Sequence, residues 1–531
     1  MKKILLPLII AVSVITGILI GNFYAMNKNR DVVRSIFRAN NTNKISEVLN
    51  FIGNLYVDTL SLDRITERAL PLIINELDPH SSYIPASDLQ ATNEELAGKF
   101  YGIGVQFNLQ SDTIYIINVV SGGPSEKIGI LAGDKIVSVN DSAFTGKKIS
   151  NEKVINTLRG EKGTEVKLGI VRKGSDKILI FNVIRDEIPQ KSIDIVYMVA
   201  PKIGYISVNK FGETTYKEFL NALAKVRHEG ANALIVDLRG NAGGYMEMAN
   251  QMLNEFLSRG DLIVYMEGAH QPRRDFYADG SGTFKNIKLA VLIDEFSGSA
   301  SEIFAGAIQD NDRGTIVGRR SFGKGLVQQQ VALSDNSALR ITIARYYTPS
   351  GRCIQKPYKL GDKEDYQYEL LTRFKHGEFY SQDSIQQNTS EEFKTRSGRT
   401  VYGGGGIMPD VFVPQDSTQH SPYFSNLISN GLVYKFALQY TENHRVELKK
   451  IKKWQDMQQH LERQNLFEKI IEFGDKNNTK GEKVINQKTK QNIEYHAIAY
   501  IIRNILDDEG FYPYYNQTDD CVQTAIKKLE K

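Results

Sequence analysis

Within the stretch Leu289 to Gln328, three residues could act together on a substrate: Ser299, Lys324 and Gln328. A hydroxyl near neutral pH is a poor nucleophile and needs a base beside it. A lysine at its ordinary pKa of about 10.4 stays protonated, so it serves as that base only where the site strips its amine of water. Gly323 and Gly325 flank Lys324 and allow tight packing, and Phe322 is suited to excluding water. Gln328 offers an amide oxygen to the amine without the charge of a carboxylate. Plainer readings stand beside this one. Ser299-Ala-Ser-Glu302 also fits a capping box, and Ser297 and Ser301 compete with Ser299 for either role. Gly318 to Lys324, GRRSFGK, matches the start of a phosphate-binding loop, but Gly325 stands where the magnesium-binding hydroxyl belongs. A solvated surface lysine is the bland alternative for Lys324.

The elements that must hold these residues read as α/β. Leu289 to Ile293 is a short unbroken apolar run, the mark of a strand buried on both faces. Ala300, Ile303, Phe304, Ala307 and Ile308 then fall on one helical face, which puts Ser299 on a strand-to-helix turn where backbone amides converge. Ile203 to Val208 and Ala233 to Asp237 read as further strands, with a helix over Thr215 to Arg227 between them. The second strand runs into LRGNAGGYMEMANQML, where Gly240, Gly243 and Gly244 let the backbone turn sharply and approach a ligand. Amides in such a turn suit a developing oxyanion, and simple turn punctuation is the alternative. Asp237 is expected to hold the turn together.

Upstream, Lys99 to Arg185 is a series of short apolar or alternating strands split by glycine turns. This segment resembles a PDZ domain. Tyr101, Gly102, Ile103 and Gly104 stand where the carboxylate-binding loop belongs, and the strand through Val105 would pair with a peptide backbone. A small β domain that only packs is the alternative.

A chain of 531 residues exceeds one compact core, and three or more domains are expected. With 66 basic against 62 acidic side chains, no nucleic-acid or other polyanionic partner is implied. Two distant cysteines and eight histidines without HExxH spacing point to neither a disulfide framework nor a metal site. Ile4 to Asn27 carries no charge and is long enough to cross a bilayer. Bulky Phe23 and Tyr24 beside Ala25 favour a retained anchor over a cleaved signal peptide. The expectation is an inner-membrane anchor with the body facing the periplasm, or release there if the segment is cut. Arg30 to about Leu96 reads as helical until LDPHSSYIP breaks it. Asp78 and His80 look like part of a catalytic triad, but a turn is the simpler reading.

Seven strings in order, LDPHSSYI, YGIGV, DLRGNAGG, SGSASE, TIVGRRSFGKGLVQ, ITIARYYTPSGRCIQ and GGGGIMPDVFVP, resemble the carboxy-terminal processing peptidases. These are Ser/Lys serine proteases with an inserted PDZ domain. The resemblance implies Ser299 as nucleophile, Lys324 as general base and Gln328 as the residue orienting the lysine. Ala300, Gly243 and Gly244 would supply oxyanion amides. It also implies protein substrates held by their C termini at residues 101–105, with no metal or cofactor. NAGG stands here where NPGG is common. A non-catalytic PDZ adaptor on the same scaffold is the rival, and loss of the serine, lysine or glutamine would mark it.

The expected fold class is multidomain α+β: an α/β peptidase core with an inserted β-rich PDZ domain, a helical N-terminal region and a helical C-terminal extension. The expected boundaries are residues 1–27, 28–96, 97–186, 187–415 and 416–531. Lys359 to Arg399 reads as an irregular surface excursion. The tail beyond residue 415 reads as helices that pack or self-associate.

Overall fold

The computed structural model describes residues 43–110, 112–146, 149–386, 390–415, 422–481 and 486–531. The chain divides into two compact units, Met1–Ile73 and Ile74–Lys531. In the first, the described residues are helical: Lys44–Leu55, opened by an Asn43 side chain that accepts from Ile45 N, and the start of Leu62–Asn75. The apolar run 4–27, on which the membrane expectation rests, lies outside the described residues. Among those, no helix is long and apolar enough to cross a membrane.

The second unit is the multidomain α/β assembly expected. Its centre is a six-stranded sheet in the order Ile193–Ala200, Ile203–Val208, Ala233–Asp237, Lys288–Ile293, Thr315–Gly318 and Val411–Phe412. The first pair is antiparallel and the rest parallel. Strands of a parallel sheet are buried on both faces, which explains their near-continuous apolar runs. One face packs on the helices Thr215–His228, Met246–Asn254 and Ala300–Asp310 through Phe219, Met252 and Phe304. The other face is covered by the last helix, Asp520–Glu530, through Val522, Ala525, Ile526 and Leu529. The tail therefore supplies a layer of the central α/β body.

Beside this core lies a second sheet, in which Ala338–Tyr347 pairs with Ser82–Ile84, Leu262–Gly268 and Leu326–Ala332. A five-strand path, Val105–Gln110, Thr113–Val119, Lys135–Val139, Glu165–Val171 and Leu179–Ile184, forms the PDZ sheet with its own core around Ile114, Ile136 and Leu168. The five helices Pro422–Ser429, Leu432–Leu448, Trp454–Glu462, Leu466–Lys476 and Gln487–Tyr515 share a separate core.

The reading of Lys359 to Arg399 as irregular is corrected. It contains the helix Lys363–Lys375 and the strand Glu392–Lys394, which pairs with Thr400–Tyr402 just beyond it. The buried residues of that helix are Tyr366 and Arg373, one aromatic and one cation, so no apolar stripe marks it in the sequence.

Candidate active site

Parallel strands end together, and loops leaving their carboxyl ends share one rim of the sheet. Asp237, Ile293 and Gly318 close adjacent strands, and the glycine loop, Ser299 and Lys324 follow them in turn. Ser299 has φ 55° and ψ −114°, outside the allowed regions for a side-chain-bearing residue. Such a conformation costs about 1–3 kcal/mol and persists only where the surroundings enforce it. Here Asp294 accepts from Phe296 N and Ser297 N, Gly298 N donates to Asn241 O, and the next residues enter the helix. The turn lifts a half-buried serine to the rim.

The capping-box pattern read from the sequence is present. Glu302 Oε2 accepts from Ser299 N at 2.9 Å, and Ser299 stands at the N-cap with Glu302 at the third helical position. Glu302 does more than cap. It is fully buried and also accepts from Ser321 Oγ at 2.5 Å, Gly323 N at 2.7 Å and Lys324 N at 2.8 Å. Burial raises its pKa to about 7, against the pull of these four donors. One carboxylate thus fastens the Ser299 turn to the lysine loop. The sequence reading saw Glu302 only as a cap, because its other partners lie about twenty residues away.

Lys324 Nζ donates to Gln328 Oε1 at 2.9 Å, and Gln328 Nε2 donates to His80 O at 2.7 Å. A β-bulge between Val327 and Gln328 re-aims the glutamine within its strand. Asp78 Oδ1 accepts from His80 N and Ser81 N, so DPH is a turn, and that turn presents the carbonyl that orients Gln328. The His80 ring bonds the Tyr366 hydroxyl at 2.8 Å, and burial with the nearby Lys324 charge lowers its pKa to about 4. Burial, then the Arg340 charge, pushes the Lys324 pKa below that of a free lysine, while Glu302 and Asp78 oppose them. Phe322 and Tyr366 meet edge to face, and the buried Lys356 amine sits 4.1 Å over both rings. Among the described residues, no hydrogen bond joins the Ser299 hydroxyl directly to the Lys324 amine. The hydroxyl of Tyr346 donates to Ser299 O at 3.0 Å and also to Lys324 O.

The glycine loop presses on the serine. A Cβ on Gly243, whose φ is 107°, would fall 2.7 Å from Ser299 Cβ and 2.9 Å from Ala300 N. Gly243 N itself donates to Asn241 Oδ1 at 2.8 Å, which commits that amide internally. Ala300 N opens the helix, where amides have no partner within the helix. Asp237 holds the loop as expected, accepting from Tyr205 Oη at 2.6 Å and from the Arg239 side chain.

Val105–Gln110 is an edge strand of the PDZ sheet, with one side open to pairing. With the helix Asn151–Leu158 it borders a groove of about 1590 Å³ that includes Gly102, Ile103 and Gly104. Ile103 O accepts from Ser125 N and Oγ, which fixes the loop. Arg185 donates to Thr157 O and Leu158 O and so caps the groove helix. Leu506 to Glu509 of the tail also line the groove, and Asn118 Nδ2 donates to Asp507 Oδ1.

The fold is that of an α/β peptidase with a PDZ domain set before its core. The profile of peptidase family S41 matches residues 202–367, that of a PDZ domain residues 102–183, and that of a family of unknown function residues 423–507. A carboxy-terminal-processing protease of Bartonella bacilliformis is 33% identical over 316 residues, which cover 59% of this chain and 72% of that protein. A probable CtpA-like serine protease of Staphylococcus aureus (strain N315) is 32% identical over 316 residues, and that match spans 62% of its length. The solved photosystem II D1 C-terminal processing protease aligns with 69% of this chain and 92% of its own, at 24% identity and a TM-score of 0.36. The chain belongs to the carboxy-terminal processing peptidase family.

Proposed function

We propose that this chain is an exported serine endopeptidase that takes the C terminus of a protein in its PDZ groove and cuts upstream of it. The observation that carries the reading is the shared clamp of Ser299 and Lys324 on Glu302, beside a lysine amine whose charge burial disfavours. Lys324, in its neutral form, takes the proton from Ser299 Oγ as that oxygen attacks the scissile carbonyl. Rotation of the lysine side chain brings its amine from Gln328 to the hydroxyl. The oxyanion is received by Ala300 N and the Gly244 end of the glycine loop, with Gly243 needed for close approach. Lys324 then returns the proton to the leaving amine as the peptide bond breaks. Water, deprotonated by the same amine, releases the acyl group from Ser299. No step calls for a metal or cofactor.

The edge strand and the 101–105 loop support capture of a terminal carboxylate, by strand addition and loop amides. Export is supported by the charge-free run 4–27 and places the enzyme in the cell envelope.

Cleavage of a denatured protein substrate by wild type, Ser299→Ala and Lys324→Ala tests the chemistry. Loss of at least about a thousandfold in both variants is expected, and unchanged cleavage in either sinks the dyad. Amidating the substrate's C terminus should raise KM. Binding with no cleavage by wild type would make the protein an adaptor.

A further inference from the structure

The tail helix Asp520–Glu530 does more than cover the sheet. Its N-cap residue, Asp519, accepts from Val522 N at 2.9 Å and turns its carboxylate onto Arg239. Arg239 Nη1 reaches Asp519 Oδ1 at 3.0 Å and Oδ2 at 2.8 Å. Through Nε and Nη2 the same guanidinium holds Asp237, whose Oδ1 also accepts from Arg239 N at 2.9 Å. Arg239 immediately precedes the glycine loop. The loop is then fixed on its far side by Gly240 N on Asp294 Oδ1 and Asn241 Nδ2 on Val208 O. Asp519 and Asp237 are 12% and 7% exposed at their side chains, so this charge pairing is little screened by water.

We propose that Asp519 is a positioning residue for catalysis, through which the C-terminal helix sets the glycine loop against Ser299. The planar fork of arginine suits this, because one guanidinium binds two carboxylates at fixed angles. Asp237 alone fixes only one edge of the fork. Asp519 fixes the other, and its own place is fixed by a helix packed into the sheet. A loop that already sits within van der Waals contact of the nucleophile tolerates little drift, since small misplacements of reacting groups cost large factors in rate. This inference rests on the Ser/Lys reading of the site.

The test uses the full chain with Asp519→Asn, Asp519→Glu and, as a control, Lys288→Met. Lys288 Nζ donates to Leu529 O at 3.0 Å, so its removal loosens the other end of the same helix without touching Arg239. Asp519→Asn should lower kcat tenfold or more with KM within twofold. Asp519→Glu should recover part of the loss, and Lys288→Met should keep the wild-type kcat. Equal kcat losses in Asp519→Asn and Lys288→Met at equal Tm would show a merely structural helix and overturn the proposal. So would a wild-type kcat in Asp519→Asn, or failure of both Asp519 variants to fold while Lys288→Met folds. Failure of the underlying mechanism reads differently: Ser299→Ala would then cleave like wild type, whatever Asp519→Asn does.

Discussion

The backbone amides of Ser299 and Lys324 donate to the same atom, Glu302 Oε2, at 2.9 and 2.8 Å. The two residues are thus joined through one shared oxygen, and their main chains lie no more than two hydrogen bonds apart. Replacing Glu302 by Gln puts an NH2 group where two donors now point, leaving buried amides unpaired at about 1–3 kcal/mol each. Glu302→Gln should therefore lower kcat at least tenfold. Affinity for a C-terminal peptide, read by fluorescence anisotropy, should stay unchanged because the groove lies elsewhere.

The pH profile should report Lys324. The rate rises as the amine loses its proton, with an apparent pKa below that of free lysine because burial and Arg340 both disfavour the charge. Arg340→Gln removes one of those causes, so the rising limb should move to higher pH. Steady-state kcat/KM from pH 6 to about 10.5 measures the shift, and a profile moving to lower pH contradicts the assignment.

His80 carries a stability prediction of definite sign. Its folded pKa of about 4 lies below the 6.5 of an ordinary histidine, so between these the unfolded chain binds more protons. The stabilisation is present above pH 6.5 and is lost as pH falls through about 4. Glu302 runs the other way, since its raised value favours the folded state as pH falls from about 7 towards 4.5. The wild-type curve mixes the two, so the comparison is by variant. The Tm of His80→Gln relative to wild type should climb steadily as pH is lowered from 6.5 to 4.

Gly243 should not tolerate a side chain. Its φ of 107° is unfavourable for any other residue, and a Cβ would press on Ser299 and Ala300 at under 3 Å. Gly243→Ala is expected to lose activity about a hundredfold or more, because Ser299 must move to admit the methyl group. Labelling of Ser299 by a fluorophosphonate, followed by mass spectrometry, should fall in parallel.

Local patterns made much of the body legible. The apolar run before Ser299, the helical spacing after it and the glycine punctuation of the PDZ segment each reflect burial that a few adjacent residues dictate. What escaped were partners distant in the chain. Glu302 showed its link to Ser299 but not those to Gly323 and Lys324, and DPH showed a turn but not the carbonyl it offers Gln328. Tyr366 was hidden because a single aromatic on a charged helix leaves no periodic signal, yet it packs on His80 and Phe322. The tail helix was read as a helix, but its docking on the sheet depends on shape that no local pattern encodes.

That docking bears on how the molecule comes into being. Lys288 and Leu529 meet across 241 positions, and Arg239 and Asp519 across 280. Contacts of such range are slow to form, and during synthesis the amino-terminal portions emerge first. The sheet therefore stays bare on one side until the final helix is made. Until residues 520–530 have been made, Arg239 lacks its Asp519 partner, and the glycine loop beside Ser299 is held by Asp237, Asp294 and Val208 alone.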